Sequence, residues 1–129
     1  MKITRPILLC LLCALALAGC ARTAPIANVD TPLAIHYPVD RVKTAILQAG
    51  MARQWVMTPA RPGVINGRLN TREHQADIQI TYSATGYSIH YAGSKNLLAD
   101  GQGHIHRNYN HWINNLNHDI QIRLASSAS

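Results

Sequence analysis

Three times in succession between Ile65 and Ala92 the sequence alternates with a period of two, and no other feature constrains the fold as tightly. In the first run Ile65, Gly67, Leu69 and Thr71 fall on one side, and Asn66, Arg68, Asn70 and Arg72 on the other. In the second, Ala76, Ile78, Ile80 and Tyr82 oppose Asp77, Gln79, Thr81 and Ser83; in the third, Tyr87, Ile89 and Tyr91 oppose Ser88, His90 and Ala92. Successive side chains of a strand point to opposite faces, so each run is predicted to be a strand with one buried and one wet face. The links Glu73-His74-Gln75 and Ser83-Ala84-Thr85-Gly86 are short enough for hairpins, which makes an antiparallel meander. A further short strand is expected at residues 54–58, before Pro59, with Arg61-Pro62-Gly63 as the turn that follows.

A sheet with one apolar face needs a cover, and two helical patterns supply it. Val39, Val42, Ile46 and Ala49 recur at helical spacing, Pro38 suits a first turn, Asp40 suits the positive end of the helix dipole, and Gly50 loosens the C-terminal part; a helix is predicted over 38–53. After a loop at 98–104, Ile105, Tyr109, Trp112, Ile113, Leu116, Ile120 and Leu124 step by three and four, the strongest periodic signal in the chain. The reading is an α+β fold in two layers: an antiparallel meander of three to four strands covered on one face by an N-terminal and a C-terminal helix. Trp112 and Leu116 are expected at the centre of the core, where truncating Trp112 to Ala would cost about 3–5 kcal/mol.

The first twenty residues carry an address. Lys2 and Arg5 precede an apolar run over 6–17, then small residues and a cysteine: a secretory signal, too short to span a bilayer. Its end, Leu17-Ala18-Gly19-Cys20, resembles the lipobox of bacterial lipoproteins. The resemblance implies cleavage between Gly19 and Cys20, a diacylglyceryl group on the Cys20 sulfur and an acyl group on the new N-terminus, with no other cofactor. Two or three acyl chains, each methylene contributing about 0.8 kcal/mol, anchor far more firmly than one chain. Ala21 stands where an Asp would imply inner-membrane retention, so the resemblance implies the periplasmic side of the outer membrane. Cys10 and Cys13 lie inside the apolar run and leave with it, so their spacing carries no redox meaning. The organisation expected is a signal peptide over 1–19, a lipidated tether over 20–37, one α+β domain over 38–126 and a tail over 127–129. Pro25, Pro32 and the lack of periodicity suggest the tether, whose sixteen or so residues would reach at most about 50 Å. The segment from His106 to Leu124, with Tyr87-Ser88-Ile89-His90-Tyr91 and the loop after it, is similar to the corresponding parts of small proteobacterial lipoproteins, a family that brings no catalytic residues to carry over.

Without Lys2 and Arg5 the chain keeps ten basic against six acidic residues. The basic residues from Arg41 to Arg123 are dispersed with no run of five or six, a poor match to a nucleic-acid footprint and a better one to lipid headgroups or peptidoglycan carboxylates. Seven histidines invite a metal reading. His104, His111 and His118 recur at sevens on the expected C-terminal helix, but a spacing of seven separates them by about 10.5 Å, whereas one helix holds a Zn²⁺ through pairs at i, i+3 or i, i+4. No metal ligands are assigned; a site drawn from distant segments is left open.

The carboxylates Asp30, Asp40, Glu73, Asp77, Asp100 and Asp119 are scattered, and neither Ser94-Lys95 nor Ser126-Ser127 carries a nucleophile motif, so no catalytic residues are assigned and the protein is not read as an enzyme. The candidate binding surface is the polar sheet face, Arg68, Arg72, Gln79, Thr81, Ser88 and His90, for a glycan strand or an envelope protein. The expectation is a lipid-anchored binding or scaffolding module. Its rivals are an accessory subunit of an envelope secretion or assembly machine and, from another class, a histidine-using metal-binding or catalytic protein.

Overall fold

The computed structural model describes residues 22–127, so the expectations placed on Gly19 and Cys20 lie outside the described residues. In chain order the elements are β1 (Thr23–Pro25), β2 (Val29–Pro32), α1 (Val39–Ala52), β3 (Val56–Arg61), β4 (Val64–Asn70), β5 (Gln75–Tyr82), β6 (Gly86–Lys95), β7 (His104–His106) and α2 (Arg107–Ser127). The fold is α+β, with an antiparallel sheet packed against the two helices. The sheet has five strands rather than three or four, in the order β2-β6-β5-β4-β3, and a separate two-stranded ribbon pairs β1 with β7.

The alternating runs set the layers. Ile65, Leu69, Ala76, Ile78, Ile80, Tyr87 and Ile89 form one buried cluster with Val42, Ala45, Ile46 and Ala49 of α1 and Ile113, Leu116, Ile120 and Leu124 of α2. Both helices therefore lie on the same face of the sheet. Val64 and Arg61 pair across the Pro62-Gly63 turn, where Gly63 takes φ +83°, a conformation that a side chain resists. At its other end β3 follows α1 closely. Gln54 adopts φ 68° and the Trp55 N–H closes onto the Gly50 carbonyl at 2.9 Å. Met57 of β3 then fills the space above Gly50: a Cβ there would lie 2.6 Å from the Met57 Cγ and Sδ. Gly50 thus admits a neighbour rather than loosening its helix.

Three expectations are corrected. Residues 20–37 were expected to be a tether, but β1 and β2 lie inside that stretch and Ile26, Ala27, Val29 and Leu33 pack against the core. Pro25 and Pro32 are compatible with this because each sits at the end of a short strand, where a ladder can do without an N–H. Asn110 of α2 completes the backbone pairing between them, its Oδ1 accepting the Ala27 N–H and its Nδ2 donating to the Pro25 carbonyl, both at 2.9 Å.

Ile105 belongs to β7 and not to the C-terminal helix, which begins at Arg107, so His104 and His106 lie on a strand. Trp112, finally, packs at the rim of the core while Leu116 is fully buried at its centre. The inward stripe of α2 runs through Tyr109, Ile113, Leu116, Ile120 and Leu124. At about 100° per residue, Trp112 lies roughly 80° from the middle of that stripe. Trp55, before β3, is the buried tryptophan.

Among the described residues no helix is long and apolar enough to cross a membrane.

Candidate functional site

The face of the five-stranded sheet turned away from the helices carries the polar half of each alternating run, and strand register arranges it in rungs. Asp30, Ser88 and Thr81 form one rung across β2, β6 and β5. His90, Gln79, Asn66 and Thr58 form the next across β6 to β3, and Gly93, Asp77, Arg68 and Val56 the third. Between the second and third rungs the ladder of β5 and β6 shifts register: Asp77 pairs with Gly93 and Ile78 with Tyr91, leaving Ala92 as the extra residue of a bulge. Five of the six expected residues, Arg68, Gln79, Thr81, Ser88 and His90, are thereby brought onto one face. Arg72 is not, because β4 ends at Asn70 and Arg72 sits in the turn to β5.

Most of these groups are engaged with one another. Arg68 Nε donates to Asp77 Oδ1 at 2.7 Å and its Nη2 to Oδ2 at 3.3 Å, with Gln75 Nε2 donating to Oδ2 at 3.3 Å. The Arg68 hydrogen bonds hold the Asp77 carboxyl below the usual carboxylate range, against a smaller opposing effect of burial. Ser88 Oγ donates to Asp30 Oδ1 at 2.5 Å, and His90 Nε2 stands 3.8 Å from the same oxygen. Gln79 Nε2 donates to Asn66 Oδ1 at 3.4 Å. Asp30 is a member of the face that the sequence did not reveal, and Asn66, placed on the polar side by its alternation, joins the candidate residues. Asp30 required knowing that β2 joins the edge of β6.

Two shallow, open depressions mark this surface. One, of about 470 Å³, lies where Asp30, Thr31 and Pro32 meet Thr81, Ser83 and Ser88; the other, of about 500 Å³, lies over Thr58, Asn66, Arg68, Asp77 and Ala92. Neither converges on a point: the side chains lie along rungs, suited to an extended, hydrogen-bonding partner more than to an enclosed small molecule.

The histidines are dispersed, and among the described residues no three His, Cys, Asp or Glu side chains gather where they could hold a metal ion. His74 Nδ1 meets the Asn96 carbonyl at 2.7 Å, His104 Nδ1 meets Asp100 Oδ2 at 3.0 Å, and His106 Nδ1 accepts the Asn108 N–H at 3.1 Å at the start of α2. Backbone amides of Gln102 and His104 keep the Asp100 carboxyl below its usual range.

On the helix side Asn117 Oδ1 gathers three donors. It accepts from the Tyr87 hydroxyl at 2.5 Å, from Thr31 Oγ1 at 3.1 Å and from Gln121 Nε2 at 3.3 Å, tying α2 to β2 and β6. Burial pushes the Tyr87 hydroxyl above the ordinary phenol range. No protein-family model, curated protein or solved structure matches this chain.

Proposed function

We propose that this chain is a lipoprotein held by acyl chains on Cys20 at the cell envelope, on the periplasmic side of the outer membrane, and that it works there as a non-catalytic binding or scaffolding module. The observation that carries the reading is Leu17-Ala18-Gly19-Cys20 at the end of an apolar run opened by Lys2 and Arg5, with Ala21 following. In support, the body leaves one sheet face uncovered, with hydroxyl, amide, imidazole and ion-paired groups in parallel rungs. Such a surface suits a glycan strand or the extended edge of an envelope protein. Anchoring confines both to the same thin layer and so raises their effective concentration.

Envelope fractionation of wild type and Cys20→Ser tests the reading. The wild type is expected in the membrane fraction at the mass of the processed chain, and Cys20→Ser as an unprocessed or soluble form. A Cys20→Ser protein that still partitions fully into membranes at the processed mass would contradict it.

A further inference from the structure

We propose that one end of the domain, built from the start of β1, the start of α2, the β4–β5 turn and the loop after β6, is seated directly on an anionic phospholipid surface. This rests on the lipid-anchor reading above and adds the orientation of the body to it. The argument begins with distance. β1 opens at Thr23, three residues after Cys20, so the connecting backbone reaches at most about 11 Å. The headgroup layer accounts for about 5–8 Å of that, since hydrocarbon and whole-bilayer thicknesses differ by 10–15 Å over two leaflets. Acyl chains in the hydrocarbon would therefore hold the start of the folded body within about 3–6 Å of the headgroups.

Strand pairing says which part arrives there. Thr23 pairs with His106, which sets Arg22 beside Arg107, the first residue of α2. The His106 N–H donates to the Leu97 carbonyl at 2.7 Å, which fastens the loop after β6 to the same end. Asn96 in turn holds the β4–β5 turn: its carbonyl meets His74 Nδ1 at 2.7 Å and its Nδ2 donates to the Glu73 carbonyl at 2.9 Å.

The segments so gathered present four exposed cations, Arg22, Arg72, Lys95 and Arg107, against two carboxylates, Glu73 and Asp100, the second of which is taken up by the Gln102 and His104 amides and the His104 ring. Arg22, Arg72 and Arg107 have no ion pair among the described residues, whereas Arg53 and Arg68, elsewhere on the body, are bound to Asp119 and Asp77. Leu98 adds an apolar contact, 55 % exposed and held at φ 57°, a conformation costly for a leucine. A basic rim with one projecting leucine is the surface that an anionic interface accepts. The β5–β6 turn over 83–85 lies at the other end of the strands and would face away.

The test uses the chain from Cys20 onward with one lipid chain coupled to its single thiol by maleimide, bound to vesicles of phosphatidylcholine with or without phosphatidylglycerol. Hydrogen exchange should slow at 71–74 and 96–99 on the anionic vesicles and stay unchanged at 83–85. Neutralising Arg72, Lys95 and Arg107 together to Gln should weaken partitioning onto anionic vesicles by about fivefold per charge and leave binding to neutral ones unaltered. Leu98→Asn, which fits the left-handed backbone, should weaken both. Slowing at 83–85, no slowing anywhere, or indifference to the charge variant overturns the seating while the anchor reading stands. Protein recovered from cells without acyl chains would overturn the anchor reading, and the seating with it.

Discussion

Tyr109 offers the sharpest test of the core. Its ring is fully buried on α2, edge-on to Tyr91 with centroids 5.5 Å apart and planes at 84°. The Tyr91 hydroxyl has a partner in Ser94 Oγ at 2.7 Å, but the Tyr109 hydroxyl is buried with no hydrogen-bond partner among the described residues. An unsatisfied buried polar group costs about 1–3 kcal/mol. Tyr109→Phe keeps the ring, its edge-on packing and nearly all its volume while removing that group, so the variant should be more stable by about 1–2 kcal/mol. For a domain of this size that raises Tm by roughly 5–10 °C and the urea midpoint by about 1 M. Urea and thermal unfolding of the chain from residue 20, with Cys20 replaced by Ser, measure both. Alkaline pH supplies a second signature. Burial pushes the Tyr109 hydroxyl above its ordinary value of 10.0, so the unfolded chain releases this proton at a lower pH than the folded one. Its contribution is therefore constant below pH 10 and stability falls as pH rises beyond it; Tyr109→Phe should flatten that fall. A loss of more than about 1 kcal/mol in Tyr109→Phe would refute the reasoning, because the hydroxyl would then be hydrogen-bonded in the folded protein.

Gly50→Ala should destabilise by about 1 kcal/mol even though alanine is the better helix former, because its methyl would collide with Met57; Gly50→Ala with Met57→Ala should lose less than the sum of the single variants, read by urea unfolding. Asn117→Ala strips the acceptor shared by Tyr87, Thr31 and Gln121 and should cost about 1–3 kcal/mol in the same assay, with exchange rising first in β2; unchanged stability would mean that these groups find other partners. Asp77, whose pKa the Arg68 pair depresses, contributes stability that is present above the ordinary carboxylate value of 3.8 and lost as pH falls through its lower folded value. Asp77→Asn should accordingly reduce stability at neutral pH and flatten its acid dependence, which urea midpoints across the acid range would show.

What the sequence revealed, and what it concealed, follows from the range of the interactions. The period-two runs around Ile65, Ile78 and Ile89 and the stripe from Tyr109 to Leu124 are local, and each buries the side that its periodicity marks. β1 and β2 were illegible because they are three and four residues long, end in proline, and find their partners far along the chain, Thr23 at His106 and Asp30 at Ser88. Ile105 misled for a related reason: it lies four residues before Tyr109, so it extends the helical spacing, yet the backbone turns strand-like there because the Leu97 carbonyl takes the His106 N–H. On the polar face, alternation placed Arg68, Gln79, Thr81, Ser88 and His90 together. It could not show that Arg68 would be spent on Asp77, or Ser88 on Asp30, since those pairs depend on register. Arg72 was misplaced by extending the alternation past Asn70, where the strand stops.

The short distance between Cys20 and β1 makes the chemical state of that cysteine decisive for both the location and the orientation of the body. Mass spectrometry of the N-terminal peptide, from protein extracted from membranes of cells grown with labelled palmitate, measures it directly. The account predicts a peptide that begins at Cys20, carries a diacylglyceryl thioether and an N-linked acyl chain, and contains the label. A peptide that begins at Met1, or one that begins at Cys20 with a free thiol and no label, would contradict it.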